Sequence, residues 1–307
     1  MKLSSLTRGS LELSLAMCLS GLIGYFVLQS GQTAWNLVFF RCLLGVLVLG
    51  PYAIWRGRAE LRHFTVRNGL LTLGGGLALI CNWVLLFRAF DHIPFSVATV
   101  TYHMQPLLLV LGGAWLAGER VSKPVWCWLG IAFIGVVLIS GLGVNDLFFM
   151  PGTAISSPLL GIVLATGAAA LYTVCTLLTK HTPELPSHLI AFAQVSLGVP
   201  IGFSLMDLTA LPSGLTVWGS LAFLGLINTG LQYILMYASF QRLSTELIAA
   251  LSFIYPVAAL LVDHLALGTQ FSVSQLLGIP VILLAAAAVR FGWQPQSFLS
   301  RLQSKQI

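Results

Sequence analysis

Residues 69–118 read GLLTLGGGLALICNWVLLFRAFDHIPFSVATVTYHMQPLLLVLGGAWLAG, and residues 219–268 read GSLAFLGLINTGLQYILMYASFQRLSTELIAALSFIYPVAALLVDHLALG. The two stretches align without a gap at an offset of 150. Gly69/Gly219, Leu71/Leu221, Gly75/Gly225, Leu85/Leu235, Phe90/Phe240, Pro106/Pro256, Leu111/Leu261 and Gly118/Gly268 are identical pairs. The unbroken register and the shared mid-helix proline weigh more than the identities, because apolar alphabets match by chance. Each stretch is long enough for two membrane crossings. One crossing takes about 20 apolar residues, at 1.5 Å rise each, to span roughly 30 Å of hydrocarbon.

Composition extends that reading to the whole chain. Of 307 residues, 57% are hydrophobic and only 8% charged, against about 25% charged in soluble domains. Such a chain cannot cover a water-facing surface, which excludes a soluble enzyme, a nucleic-acid binder and a disordered protein. Apolar segments fall at 11–29, 34–55, 68–90, 94–117, 124–142, 158–179, 187–206, 215–240, 246–267 and 272–292. Turn-forming clusters separate them, among them Ser30-Gly31-Gln32, Ile93-Pro94, Ser122-Lys123-Pro124 and Leu211-Pro212-Ser213-Gly214. The predicted fold is an all-α membrane protein of ten transmembrane helices.

Basic residues test the layout independently. With the N-terminus cytoplasmic, thirteen of the fifteen Lys and Arg fall on cytoplasmic segments, including Arg56, Arg58, Arg62, Arg67, Arg120 and Arg242. Arg88 is outside and Arg41 lies within a span. This bias orients both termini to the cytoplasm and explains the net charge of +6 without invoking nucleic acid. Lys2 and Arg8 precede an apolar run with no small-x-small cleavage site, so a retained first helix is expected. The five cysteines, Cys18, Cys42, Cys81, Cys127 and Cys175, all lie in apolar segments and read as small packing residues rather than a disulfide framework. The division expected is a first five-helix repeat at 1–142, an external linker at 143–157, a second repeat at 158–293 and a cytoplasmic tail at 294–307. Five is odd, so the halves sit oppositely in the membrane. Inverted repeats of this kind are a frequent plan of secondary transporters, with the site between halves near the midplane.

Short motifs in a fixed order add a resemblance. They are Phe39-Phe40-Arg41, the run from Asn82 to Phe90, Val97-Ala98-Thr99, Gln105-Pro106-Leu107-Leu108 leading to Gly118-Glu119-Arg120, and Gly130. The second half supplies Ile254-Tyr255-Pro256-Val257, Gly268 and Gly278. The set resembles the EamA-type ten-helix carriers of the drug/metabolite transporter superfamily, over nearly the whole chain. Thr269 departs from the pattern, standing where the second copy usually carries an acid matching Glu119. The resemblance implies a carrier that exports or exchanges small organic metabolites, often amino acids, by alternating access, and an arginine at position 41 is typical of it.

Polar groups at bilayer depth are the candidate site, since each must find a partner or face water. His103 lies about 13–14 Å into its span by helical rise, on one face with Thr99 and Pro106. It could bind an anionic or aromatic group or exchange a proton. Asn82 and Trp83 pair with Gln232 and Tyr233 under the 150 offset, and Tyr102, Tyr172, Tyr237 and Tyr255 add rings with polar tips. The expected cavity is built by the third, fourth, sixth, eighth and ninth spans. Arg41, costly at its depth by about 2.5–3.5 kcal/mol, would snorkel, pair with a carboxylate such as Asp263, or enter the pathway. Arg41, Pro106, Glu119, Pro256 and Asp263 are expected to gate or support. Glu246 closes the list of intramembrane-end acids, near a cytoplasmic helix end.

The function expected is a secondary carrier of a small organic metabolite in the cytoplasmic membrane, working as a monomer or homodimer, with protons as a possible coupling ion. No phosphate-binding loop or metal motif occurs, and Pro183 and Pro186 break the helix that would align His181, Glu184 and His188. No catalytic residue, metal or cofactor is expected. The competing classes are a channel, a lipid-acting enzyme and a membrane scaffold.

Overall fold

The computed structural model describes residues 4–56, 65–93, 95–118, 120–140, 158–268 and 270–294. Glu119, Thr269, Arg58, Arg62, the segment 143–157 and the tail from 295 lie outside the described residues. Every regular element described is helical. In chain order these are α1 (Ser5–Ser20), α2 (Ile23–Ser30), α3 (Ala34–Arg56), α4 (Val66–Ala89), α5 (Phe95–Tyr102), α6 (Gln105–Ala117) and α7 (Lys123–Ser140). They continue as α8 (Pro158–Lys180), α9 (Ser187–Leu205), α10 (Leu215–Ala222), a π-helical stretch (Phe223–Leu231), α11 (Gln232–Phe240), α12 (Thr245–Ser252), α13 (Ile254–Leu267) and α14 (Val273–Phe291).

Among the described residues, nine segments are long and apolar enough to cross a membrane. The α5–α6 segment is interrupted at His103 and Met104 and runs over the remaining stretch that composition marks as a span. Three of the expected continuous helices are therefore broken. The first span starts earlier than expected, at Ser5, and is interrupted between α1 and α2. The fourth and ninth spans break just before their prolines, because Pro106 and Pro256 have no N–H to bond the carbonyl of the residue four positions back.

The offset of 150 is present in the backbone. Helix α5 maps onto α12 residue for residue, α7 starts at Lys123 as α14 starts at Val273, and α2 ends at Ser30 as α8 ends at Lys180. Gly118 and Gly268 both terminate their helices with φ of +63° and +68°, the left-handed conformation that a side chain resists. Packing obeys the same register. Helix α7 lies along α14 and α3 along α9, each a helix against its own repeat mate. Helix α4 packs on α8 as α11 packs on α1, and α6 meets α8 as α13 meets α1. Counting α5–α6 as a crossing, the described residues of each repeat hold five, the odd number that an inverted repeat requires.

Outward faces carry large apolar side chains. Leu111 and its mate Leu261 are both exposed, as are Leu47, Leu77 and Leu283, the surface expected against lipid rather than water. Between helices the contacts are made by small residues. A Cβ added at Gly135 would lie 2.6 Å from Ile282 Cγ1, and one at Gly278 would lie 2.8 Å from the Gly135 carbonyl oxygen. These two glycines set how closely α7 and α14 approach. Gly278→Val is expected to destabilise the protein by about 1–3 kcal/mol through overpacking, read as a lower thermal unfolding midpoint in detergent. Gly130→Ala, where an added Cβ meets nothing within 4 Å, is the control expected to leave it unchanged.

Candidate functional site

The π-helical stretch decides how the centre is built. Its wider turn bonds Gln232 N–H to the Ile227 carbonyl, five residues back, and π turns are frequent at functional sites. The stretch packs on α3, where a Cβ at Gly45 would lie 2.7 Å from Thr229 Cγ2 and one at Gly230 would lie 2.6 Å from Val48 Cβ. Thr229 donates its hydroxyl to the Leu224 carbonyl, also five residues back, at 2.9 Å. Its oxygen accepts from Arg41 Nε at 3.2 Å. Arg41 lies one turn before Gly45, so the close approach brings the two together. Asn228 Nδ2 donates to the Leu19 carbonyl (2.7 Å) and to Gln232 Oε1 (2.9 Å), and Gln232 Nε2 donates to Ser20 Oγ (2.7 Å). These bonds fasten the eighth span to the first, beside the break at Gly21-Leu22. Across the repeat, Asn82 Nδ2 fastens the third span to the sixth by donating to the Ala168 carbonyl at 2.7 Å.

A cavity of about 100 Å³ lies among these elements. At its wall the repeat mates Trp83 and Tyr233 meet edge to face, with centroids 5.9 Å apart at 72°. The Arg41 guanidinium sits 4.4 Å over Trp83, a favourable cation–π geometry. Opposite, the break before Pro106 exposes His103, whose ring stacks on Tyr255 at 5.0 Å and 11°. His103 Nδ1 lies 2.7 Å from the Thr99 carbonyl oxygen. A carbonyl only accepts, so Nδ1 carries the proton. Nε2 is not among the buried atoms without a partner, which leaves it facing the cavity that His103 lines. Tyr102 stacks on Tyr172 at 6.2 Å. Gln105 and Gln232 contribute amides to the same lining. The walls can thus stack on a planar or apolar group while offering a guanidinium, a ring nitrogen, amides and phenols. Among the described residues no three His, Cys, Asp or Glu side chains are grouped to hold a metal.

The structure brings His103, Trp83, Tyr102, Tyr172, Gln232, Tyr233 and Tyr255 of the sequence-derived set to this cavity, with Arg41 and Pro106. Asn82 stands behind the wall, where its Nδ2 also reaches the Tyr102 hydroxyl at 3.3 Å. Tyr237 is fully buried and turns away, donating to Gln194 Oε1 at 2.5 Å beside Cys175. Pro256 is not in the lining; it acts on the backbone, at the break before α13. Asp263 is half-buried farther along α13 and is not the partner of Arg41, whose hydrogen bond goes to Thr229. The first and second spans, absent from the expected cavity, supply Met17, Ser20, Ile23 and Arg41. Gln105 was legible as the repeat mate of Tyr255; Thr229 and Asn228 carried no signal, because the π turn that aims them leaves no mark in hydrophobic periodicity. A second, more polar cavity of about 340 Å³ lies among Arg8, Glu12, Tyr52, Arg56, Gln241 and Arg242. There Glu12 pairs with both Arg8 and Arg242.

Comparison with known proteins gives matches along most of the chain. A family model described as the EamA-like transporter family matches residues 7–141 and again 159–291. An uncharacterized transporter, YxxF, of Bacillus subtilis is 31% identical over 281 residues, covering 90% of this chain and 88% of the relative. The pseudopaline exporter CntI of Pseudomonas aeruginosa is 26% identical over 259 residues, covering 83% of this chain and 86% of the relative. A solved crystal structure superposes with a TM-score of 0.77 at 20% identity, covering 92% of this chain and 96% of that one, which supports the fold.

The placement of Tyr237 behind the wall sets a test. Tyr237→Phe removes its hydrogen bond to Gln194 and is expected to cost about 0.6–1.7 kcal/mol, the range for bonds between membrane helices. The loss is read as a lower unfolding midpoint, with ligand affinity at the cavity unchanged.

Proposed function

We propose that this chain, which belongs to the EamA-like transporter family, is a secondary carrier that moves an amino acid or related small metabolite through its central cavity. The family and the curated relatives are transporters, not enzymes. The chain is accordingly a multi-pass membrane protein with a small-molecule substrate. The observation that carries the proposal is the cavity itself. It lies where the two repeats meet, at Trp83 and Tyr233, beside helix breaks whose residues Gly21, His103 and Phe253 are buried in protein. Irregular backbone at membrane depth is tolerated only in such a place.

In this proposal the halves 1–142 and 158–293 rock against each other and expose the cavity alternately to the two sides of the cytoplasmic membrane. The aromatic walls and the mixed donors and acceptors suit a molecule with one apolar and one polar end. Outward transport is favoured by the pseudopaline exporter among the relatives. His103, with Nε2 toward the cavity, is the group we assign to cargo contact and to proton coupling where it occurs. The working unit is a monomer or a homodimer.

Counterflow in liposomes of purified protein, preloaded with amino acids and probed with labelled ones, is expected to show saturable uptake that needs internal cargo. A pH gradient applied across the same vesicles tests coupling. His103→Ala is expected to slow exchange roughly tenfold, the size of one lost hydrogen bond, while inserting normally. Wild-type rates in that variant would falsify the assignment of His103, and linear, unsaturable flux would indicate a channel.

A further inference from the structure

We infer that Arg41 is the receptor for a carboxylate on the cargo, so that the carrier proposed above is one for organic anions or zwitterions and not for cations. For transport the inference rests on that carrier reading; for binding it does not.

Arg41 is only 2% exposed, yet its partners do not neutralise it. An arginine has five N–H donors. Among the described residues Nε alone makes a hydrogen bond, to Thr229. The ionisable groups around the guanidinium are the phenols of Tyr233, Tyr102 and Tyr255 and the thiol of Cys42. None is a carboxylate. The two terminal nitrogens make no hydrogen bond and are not among the buried atoms without a partner. In a residue that lines the cavity, they therefore open onto it. Among the described residues the lining contains no Asp or Glu, and Arg41 is its one permanently charged side chain. A purely structural arginine at this depth would be expected to have its donors saturated by a carboxylate or by carbonyls. Arg41 is instead held from one side and left open on the other.

The holding is specific. Thr229 presents its oxygen because its own hydroxyl proton is committed to Leu224 across the π turn, and Trp83 covers one face of the guanidinium. What remains is a planar fork of donors facing the cavity, the geometry that matches a carboxylate through two parallel bonds. The aromatic rings around it favour an organic acid over a bare inorganic anion. A cationic cargo would meet a positive charge that no carboxylate of the lining compensates. Thr229 acts through Arg41 and is a positioning residue.

The test uses matched probes on the purified full chain. Phenylalanine, glutamate and succinate are compared with phenylalaninamide, phenethylamine and succinamide, with chloride and phosphate as inorganic anions. Thermal unfolding midpoints report binding, and counterflow reports transport. At least one organic acid is expected to stabilise the wild type where its uncharged or cationic counterpart does not. Arg41→Gln is expected to weaken that binding roughly 10- to 100-fold, the value of a charged hydrogen-bonded pair. Thr229→Val, which keeps the charge but frees it, is expected to weaken acid binding, and Thr229→Ser to restore the preference for acid over amide. A merely structural threonine would change stability without moving that preference.

The inference is overturned if no organic acid stabilises the wild type at millimolar concentration, if amides or amines bind as well as acids, or if Arg41→Gln binds acids as tightly. Chloride or phosphate alone reproducing the full shift overturns its organic part. Arg41-dependent binding without counterflow leaves the inference standing and removes the carrier reading. Counterflow of an amine or amide that Arg41→Gln does not affect does the reverse.

Discussion

Hydrocarbon offers no hydrogen bonds, so every polar group inside the membrane must be satisfied by protein or by water that the protein encloses. Most of this chain meets that demand with unbroken helix. The exceptions gather in one place. The gap between α1 and α2, the π-helical stretch, and the interruptions before Pro106 and Pro256 all border the cavity or brace its walls. Each releases backbone or side-chain groups that continuous helix would have tied up, and Gly21, His103, Thr229 and Phe253 at these places are buried. The irregularities that a ten-helix reading smooths over are thus the parts that make a binding chamber possible.

The scaffold is symmetric and the chemistry is not. Helix ends, the glycine caps at 118 and 268 and the packing partners repeat at an offset of 150. Trp83 and Tyr233 keep aromatic character on both sides of the axis and touch. Yet Arg41 has Ala191 as its mate, His103 has Phe253 and Gln105 has Tyr255. A duplicated fold supplies two equivalent walls, the plan common among secondary transporters. Different side chains at equivalent positions then give the chamber a polarity, with the cation on the Trp83 side and the imidazole against Tyr255. The clasp residues show the same division. Asn82 on the third span and Asn228 with Gln232 on the eighth bind their neighbours in comparable ways, but among the described residues only the eighth span widens to a π turn to do so.

Much of the site was legible because mutual depth can be read from helical rise and from the repeat. Helical rise placed His103 deep in its span and the offset paired Trp83 with Tyr233, and the structure sets all three around one space. These two rulers failed for Asn82 and Tyr237, because depth says nothing about which face of a helix turns inward. Asn82 faces the sixth span and Tyr237 faces Gln194. They failed also for the first span, left out of the expected cavity although its Ser20 accepts a bond from Gln232 and lines the cavity.

By itself, then, the sequence determined the class of the protein, the approximate crossings and the duplication, since hydrophobic run length, basic-residue bias and a constant offset are properties of the chain in one dimension. It also showed that Arg41 is buried in a span and needs an explanation. Only the tertiary structure decided what that explanation is. Whether a buried guanidinium is quenched by Asp263, turned outward to the membrane surface or left open to a cavity depends on which helix lies against it and on how a π turn rotates one threonine. Those are relations between segments nearly 190 residues apart in the chain, and the pattern of either segment alone does not contain them.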